Sequence, residues 1–243
     1  MIGLGTLINT AAIVLGGLFG LLFGKRLGER HQDTLMKTCG VTVIFIGIAG
    51  VLSKMLSVQG AALISGRSLL LVLCAAVGAL IGEWLNIEGG FERFGQWLKR
   101  KTGNAKDKTF VDAFVTASLT VSIGAMAVVG AIQDGLSGDS SVLVTKSILD
   151  FVIVMVMTSS LGKGCAFSAI PVLVLEGGLT LLARLIAPVM TDAALANLSM
   201  VGSVLIFCVG VNLTFGKRVR VANLLPALIL AVICAFLPLS FLN

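Results

Sequence analysis

The chain has 243 residues, of which 57% are apolar and only 12% charged, and its mean hydropathy is +1.05. A soluble domain carries about 25% charged residues to cover its surface, so most of this surface must face something other than water. The net charge of +6 therefore need not mean nucleic acid, and no nucleic-acid partner is expected.

A membrane span takes about 20 residues to cross ~30 Å of hydrocarbon. On that ruler the chain divides into eight apolar segments, at residues 2–24, 38–56, 69–86, 110–132, 142–161, 166–190, 198–215 and 222–242. They predict an all-α fold, a polytopic transmembrane helical bundle forming one integral membrane domain over residues 1–243. The third and seventh segments sit near the short limit, and the break at Gly162-Lys163-Gly164 is brief. A seven-span reading with one re-entrant segment stays open. The runs are continuous rather than alternating, which excludes a β-barrel.

The first segment lacks a basic leader and a small-residue cleavage site, so a cleavable signal peptide is not expected. It carries Asn9 and a ladder of Gly16, Gly20 and Gly24, continued outside it by Gly28. The third segment repeats the pattern with Gly78 and Gly82. Small residues four apart let helix backbones approach closely, within one chain or across a dimer. Two connections look interfacial. Residues 90–101 place Phe91, Phe94, Trp97 and Leu98 on one face of a basic helix suited to the headgroup boundary, and residues 26–37 are a weaker version. Glu83 and Asp112 lie near span ends, where water reaches them.

The densest polar stretch runs from Ser122 to Phe151. The fourth span ends in small residues, followed by Gln133 and Asp134, and a Gly138-Asp139-Ser140-Ser141 turn leads into the fifth. Asp139 or a serine can cap that helix. Lys146 and Asp150 follow, four residues apart, so they share a helix face and can neutralise each other. Snorkelling towards the span's end offers Lys146 an escape. Glu176 falls in the middle of the sixth span, just before Gly177 and Gly178. A carboxylate there suits a proton or cation site on a locally unwound helix, or a protonated side chain bonded to a neighbour. Asn212 in the seventh span is either helix glue or a ligand contact.

Alternate connections hold 14 of the 18 lysines and arginines. The positive-inside rule then places both termini outside and the basic loops in the cytoplasm. Shifting the chain by 62 residues lays Gly16 on Gly78, Gly20 on Gly82 and Lys37 on Lys99, which predicts a repeated helix hairpin. A shift of 162 lays Gly16 on Gly178, Gly40 on Gly202 and Ile44-Phe45 on Ile206-Phe207. That match would be an inverted repeat, an architecture common among secondary transporters. The five cysteines are scattered singly and read as apolar fillers, and His31 is the sole histidine. Neither a metal site nor a cofactor is expected, and no nucleophile–base or nucleotide-loop pattern suggests an enzyme.

The GTLINTAAIVLGGLFG opening, VGALIGE at residues 77–83 and IQDGLSGDSSVLVTKSILDF at 132–151 together resemble a bacterial inner-membrane family of unknown function that includes YqgA. The resemblance covers most of the chain and is most specific at Gly138, Asp139, Lys146, Ser147 and Asp150. It does not rest on Glu176. It implies a plasma-membrane protein of this size, without a substrate or mechanism.

The leading expectation is a transporter or permease for a small solute or ion, with Asp134, Asp139, Lys146 and Asp150, together with Gln133, lining an outer site and Asn9, Glu176 and Asn212 deeper. The alternatives are a channel-like pore formed by a homodimer and a non-transporting membrane scaffold.

Overall fold

The structure, a computed structural model, describes every residue except Lys25, Leu27, Ala61, Gly124 and 238–243. Helix α1 (Leu4–Gly24) is followed by α2 (Glu29–Met55), a two-stranded hairpin of β1 (Leu56–Gln59) and β2 (Ala62–Ser65), and α3 (Ser68–Leu85). Helix α4 (Ile87–Lys101) leads to α5 (Phe110–Ser122), α6 (Ala125–Ser137) and α7 (Ser141–Leu161). A 3-10 turn (Lys163–Ser168) opens α8 (Ala169–Leu181), and a short α9 (Ala183–Ile186) leads to α10 (Asp192–Phe215). A 3-10 turn at Ala187–Val189 precedes α10, and a third (Val221–Leu224) opens α11 (Pro226–Cys234).

The protein is thus almost wholly helical, and each apolar segment is helical in whole or in part. Among the described residues six helices are long and apolar enough to cross a membrane: α1, α2 from Arg30, α3, α7, the run Lys163–Leu181, and α10. The fourth segment is broken between α5 and α6, whose axes differ by 62°, and the pair together would make a seventh span. The outward-facing side chains are apolar, with Phe45 67%, Leu80 72% and Val174 70% exposed. A water-soluble monomer does not present so continuous an apolar surface, whereas lipid does not penalise it.

Several expectations need correction. The connection at residues 26–37 is not a separate surface helix, because α2 starts at Glu29 and runs unbroken into the span. The seventh span starts earlier than expected, at Asp192. Helix α8 is not unwound at Gly177-Gly178 but continues to Leu181. Glycine permits unwinding without forcing it, and away from water an unbroken carbonyl ladder is the cheaper arrangement. The break falls instead in the fourth span. The hairpin was not expected at all; its Gly60 takes a left-handed conformation at φ +61°.

Three close helix pairs organise the bundle. Along α1, Gly16, Gly20 and Gly24 lie against the backbones of Phe151, Met155 and Ser159 on α7, so the two helices run parallel. A Cβ at Gly16 would stand 2.5 Å from the Phe151 carbonyl. On α2, Gly47 meets the Phe207 backbone and Gly50 meets Ser203, so α2 and α10 are antiparallel. On α3, Gly78 meets Ala227 and Gly82 meets Asn223, and this pair too is antiparallel. Gly16, Gly20, Gly24, Gly78 and Gly82 thus lie on packing faces, whereas Gly28 meets only His31, and the α2 ladder adds a face that the sequence did not single out.

The basic connections gather at one end. Ser160 donates to the Gln32 carbonyl, joining the end of α7 to the start of α2, and Lys217 reaches Glu88 and Glu92 on α4 at 2.8 Å. Helix α4 lies across this end. Its Phe94 stacks on Trp97 with ring centroids 5.7 Å apart, while Leu98 is buried beneath.

Replacing Gly16 by leucine is expected to lower stability in detergent by roughly 1–3 kcal/mol or more, because backbone cannot move aside as a side chain can. Gly90→Ala on α4, where nothing lies within 4 Å of the added Cβ, is expected to raise it by about 0.5–1 kcal/mol. Thermal or denaturant unfolding of both variants checks the pair.

Candidate functional site

The glycine contacts that dock α1 onto α7 also set the site. They bring Asn9 of α1 beside Asp150 of α7, and α8, packed against α1, supplies Glu176. The Asn9 Nδ2 donates to Asp150 Oδ2 at 3.1 Å and to Glu176 Oε1 and Oε2 at 2.9 and 3.1 Å. Lys146, one turn before Asp150, pairs with it, donates to the Val121 carbonyl at 2.7 Å and stands 3.5 Å from Glu176 Oε1. Val121 lies in the last turn of α5, where helix carbonyls have no partner of their own. The ammonium thus caps the first half of the broken span with a charge of the favourable sign.

Burial is nearly complete. Asn9 and Glu176 have no exposed surface, and Lys146 and Asp150 keep 6% and 4%. Lys146 therefore does not snorkel; it turns inward. Thr6 of α1 and Thr180 of α8 share a hydrogen bond of 3.2 Å beside the cluster.

Two features of the cluster are incomplete. One lysine faces two carboxylates, so full ionisation leaves one negative charge uncompensated in a buried setting, which is costly. Asn9 Oδ1 is also buried with no hydrogen-bond partner, and an orphaned acceptor of this kind costs about 1–3 kcal/mol.

The other expected residues lie elsewhere. Asp134 is fully buried but accepts from the backbone N–H groups of Gly3 and Gly5 at 3.2 and 3.0 Å, so it caps the start of α1. Gln133 and Asp139 are exposed. Asp139 accepts the Ser141 N–H at 3.0 Å, and its hydrogen bonds to Ser141 hold the carboxyl below the usual carboxylate range. Asn212 sits at the basic end, where it donates to the Val219 carbonyl and accepts from the N–H groups of Arg218 and Val219. The expected outer vestibule is thus not what the structure brings together. It unites Asn9, Lys146, Asp150 and Glu176, uses Asp134 and Asp139 at helix starts, and uses Asn212 to hold the loop at residues 218–219.

A second polar group at the basic end went unnoticed in the sequence. Asn223 accepts the Glu88 N–H at 2.8 Å and donates to Glu83 Oε2 at 2.5 Å, and Arg220 pairs with Glu83. Glu88 is 4% exposed. Partial burial would lower Lys217, but its hydrogen bonds to Glu88 and Glu92 and their charges outweigh this and hold its ammonium above the ordinary range. A cavity of about 410 Å³ opens nearby, lined by Asp33, Lys37, Glu88, Asp112, Asn212 and Lys217 among others. Among the described residues no group of His, Cys, Asp and Glu is arranged to hold a metal.

Residues 4–236 match the family described as "Protein of unknown function (DUF554)". The chain belongs to this family. It is 32% identical to the uncharacterized protein YqgA of Escherichia coli over 94% of each chain. It is 25% identical to the uncharacterized membrane protein YdfK of Bacillus subtilis, over 98% of this chain and 97% of that one. No solved structure matches. With its apolar helices, this DUF554 member is a helical membrane protein.

Lys146→Met would leave Asp150 and Glu176 buried without a cation and is expected to destabilise by about 3–5 kcal/mol. The triple variant Lys146→Met, Asp150→Asn, Glu176→Gln should recover a large part of that loss, since it buries no charge. Unfolding of the single and triple variants in the same detergent reads the difference.

Proposed function

We propose that this protein is a proton-coupled transporter of a small solute and that the Asn9–Lys146–Asp150–Glu176 cluster is its proton site. The observation that carries this reading is the cluster's double deficit. A buried group of two carboxylates and one ammonium lacks one positive charge, and the amide oxygen beside it lacks a donor. A proton on either Asp150 or Glu176 would balance the charge, and its O–H is a donor of the kind that Asn9 Oδ1 lacks. Ionisable groups inside a membrane bundle commonly mark ion or proton paths.

The surrounding helices support the same reading. Transporters place coupling sites where a discontinuous helix ends within the membrane and its terminal carbonyls face a cation. Here the α5 half of the broken span ends on Lys146. Eight crossings suit the helix directions: α1 parallel to α7, and α2 and α3 antiparallel to α10 and α11. That pattern requires the α5–α6 pair to cross once. The basic end would then face the cytoplasm of a bacterial inner membrane, with both termini outside. Gly16 with Gly20 and Gly78 with Gly82 do the same packing work in the first and third spans, which favours the repeated hairpin. Gly178 packs on nothing, so the inverted match gains no such support.

The test is solute-evoked proton entry into proteoliposomes carrying a trapped pH dye, screened over small neutral and zwitterionic solutes. The expected result is uptake driven by an inward proton gradient and lost in Glu176→Gln, a variant that stays folded. Flux driven by a sodium gradient instead would assign the site to that ion. Solute flux unchanged by Glu176→Gln would contradict the assignment and favour a channel-like pore. Absence of any flux, with Glu176→Gln altering only stability, would favour a scaffold.

A further inference from the structure

Between α4, α5, α6, α8, α10 and α11 lies a cavity of about 230 Å³. Its walls are apolar, among them Leu119, Val128, Leu198 and Leu228, except for Ser118 and Ser122 of α5. Among the described residues no charged side chain lines it. Ser118 has no exposed surface, and the hydroxyls of both serines are buried with no hydrogen-bond partner. Other hydroxyls on these helices are satisfied locally, as where Thr120, between the two serines, donates to the Thr116 carbonyl and Ser203 to that of Ser199, although Ser168 at the start of α8 is also unpartnered. A serine in a membrane helix ordinarily makes that bond. Two hydroxyls one helical turn apart are instead left free on the wall of an otherwise oily space.

We propose that this cavity binds a small uncharged molecule, apolar over most of its surface and bearing one hydroxyl, carbonyl or amide group that Ser118 and Ser122 recognise. An engineered apolar cavity of ~150 Å³ admits benzene, so this larger one suits a molecule of somewhat greater bulk. Binding sites of this kind are mostly apolar, with a few placed polar groups fixing orientation. Leu119 lines both this cavity and the 410 Å³ space at the basic end, so it forms part of the wall between the site and that end.

The position also fits the solute site of the transporter, and to that extent the proposal rests on the reading given above. Ser122 directly follows Val121, whose carbonyl holds Lys146, and Leu175 on the cavity wall directly precedes Glu176. Occupancy of the cavity and the charge state of the cluster thus act on the same stretches of α5 and α8.

The experiment is fluorine NMR of 4-fluorobenzyl alcohol added to the full chain in lipid nanodiscs, with 4-fluorotoluene and 4-fluorobenzoate as comparisons. Saturable binding of the alcohol is expected, tighter than that of the toluene, with none of the benzoate. Ser118→Ala with Ser122→Ala should weaken the alcohol about tenfold and leave the toluene unchanged. Its unfolding temperature should be at or above wild type, since the hydroxyls it removes have no partner. Ser122→Leu, which fills the space, should exclude both probes. The proposal is overturned if the alcohol binds without saturation, or equally well to the double alanine variant. It is likewise overturned if the toluene binds as tightly as the alcohol, which would make the cavity a slot for hydrocarbon such as a lipid chain. No gradient enters this measurement, so it stands or fails separately from loss of proton coupling in Glu176→Gln.

Discussion

The arrangement depends on an ammonium held inside the bundle. Lys146 ties together the Asp150 carboxylate on its own helix, Glu176 on α8 and the last turn of α5. None of those contacts survives if the side chain turns to the membrane surface, as a lysine six residues into a span could. It turns inward because two carboxylates and an orphaned helix carbonyl together offer more than interfacial water, and because Asn9 completes the ring from α1. The cluster is in this sense one object contributed by three helices and leaning on a fourth. Its excess negative charge is a property of the whole, not of any one residue.

Close helix packing is the condition for that convergence. Lipid gives helices no hydrophobic reason to associate, so small residues and interhelical hydrogen bonds must supply it. The α1 glycines bring its backbone against that of α7 in parallel, and this fixes the depth at which Asn9 meets Asp150. Asp134 then anchors the start of α1 through the Gly3 and Gly5 N–H groups. Displacing α1 by a side chain's width would remove the shared amide and leave the carboxylates to repel each other.

Much of this was legible in the sequence, for definite reasons. The apolar runs are long and uninterrupted, so their helical state follows from length alone. Lys146 and Asp150 declared themselves by a spacing of four, and Glu176 by its depth. What the sequence could not show was which polar residues meet, because pairing α1 with α7 and α8 is a tertiary fact. Asp134, Asp139 and Asn212 looked like site residues, but Asp134 and Asp139 accept backbone N–H groups at the starts of α1 and α7 and Asn212 ties down the 218–219 loop. Helix starts and loops need acceptors and donors as much as a solute does. The break was sought at Gly177-Gly178 and lies between α5 and α6 instead. Glu88 escaped notice because it falls between spans, and Asn223 because it stands at the very start of the eighth apolar segment, where an amide reads as a boundary residue. Ser118 and Ser122 did too, because a serine in a span is ordinarily satisfied by its own helix.

The central claim is that the cluster holds one exchangeable proton, and infrared difference spectroscopy of the reconstituted protein tests it most directly. Lowering the pH across the range in which the protein stays folded should bring up a single protonated-carboxyl band, as expected of a coupled pair that shares its proton. That band should vanish in both Asp150→Asn and Glu176→Gln. Its absence from the wild-type protein, or its persistence in both variants, would contradict the account.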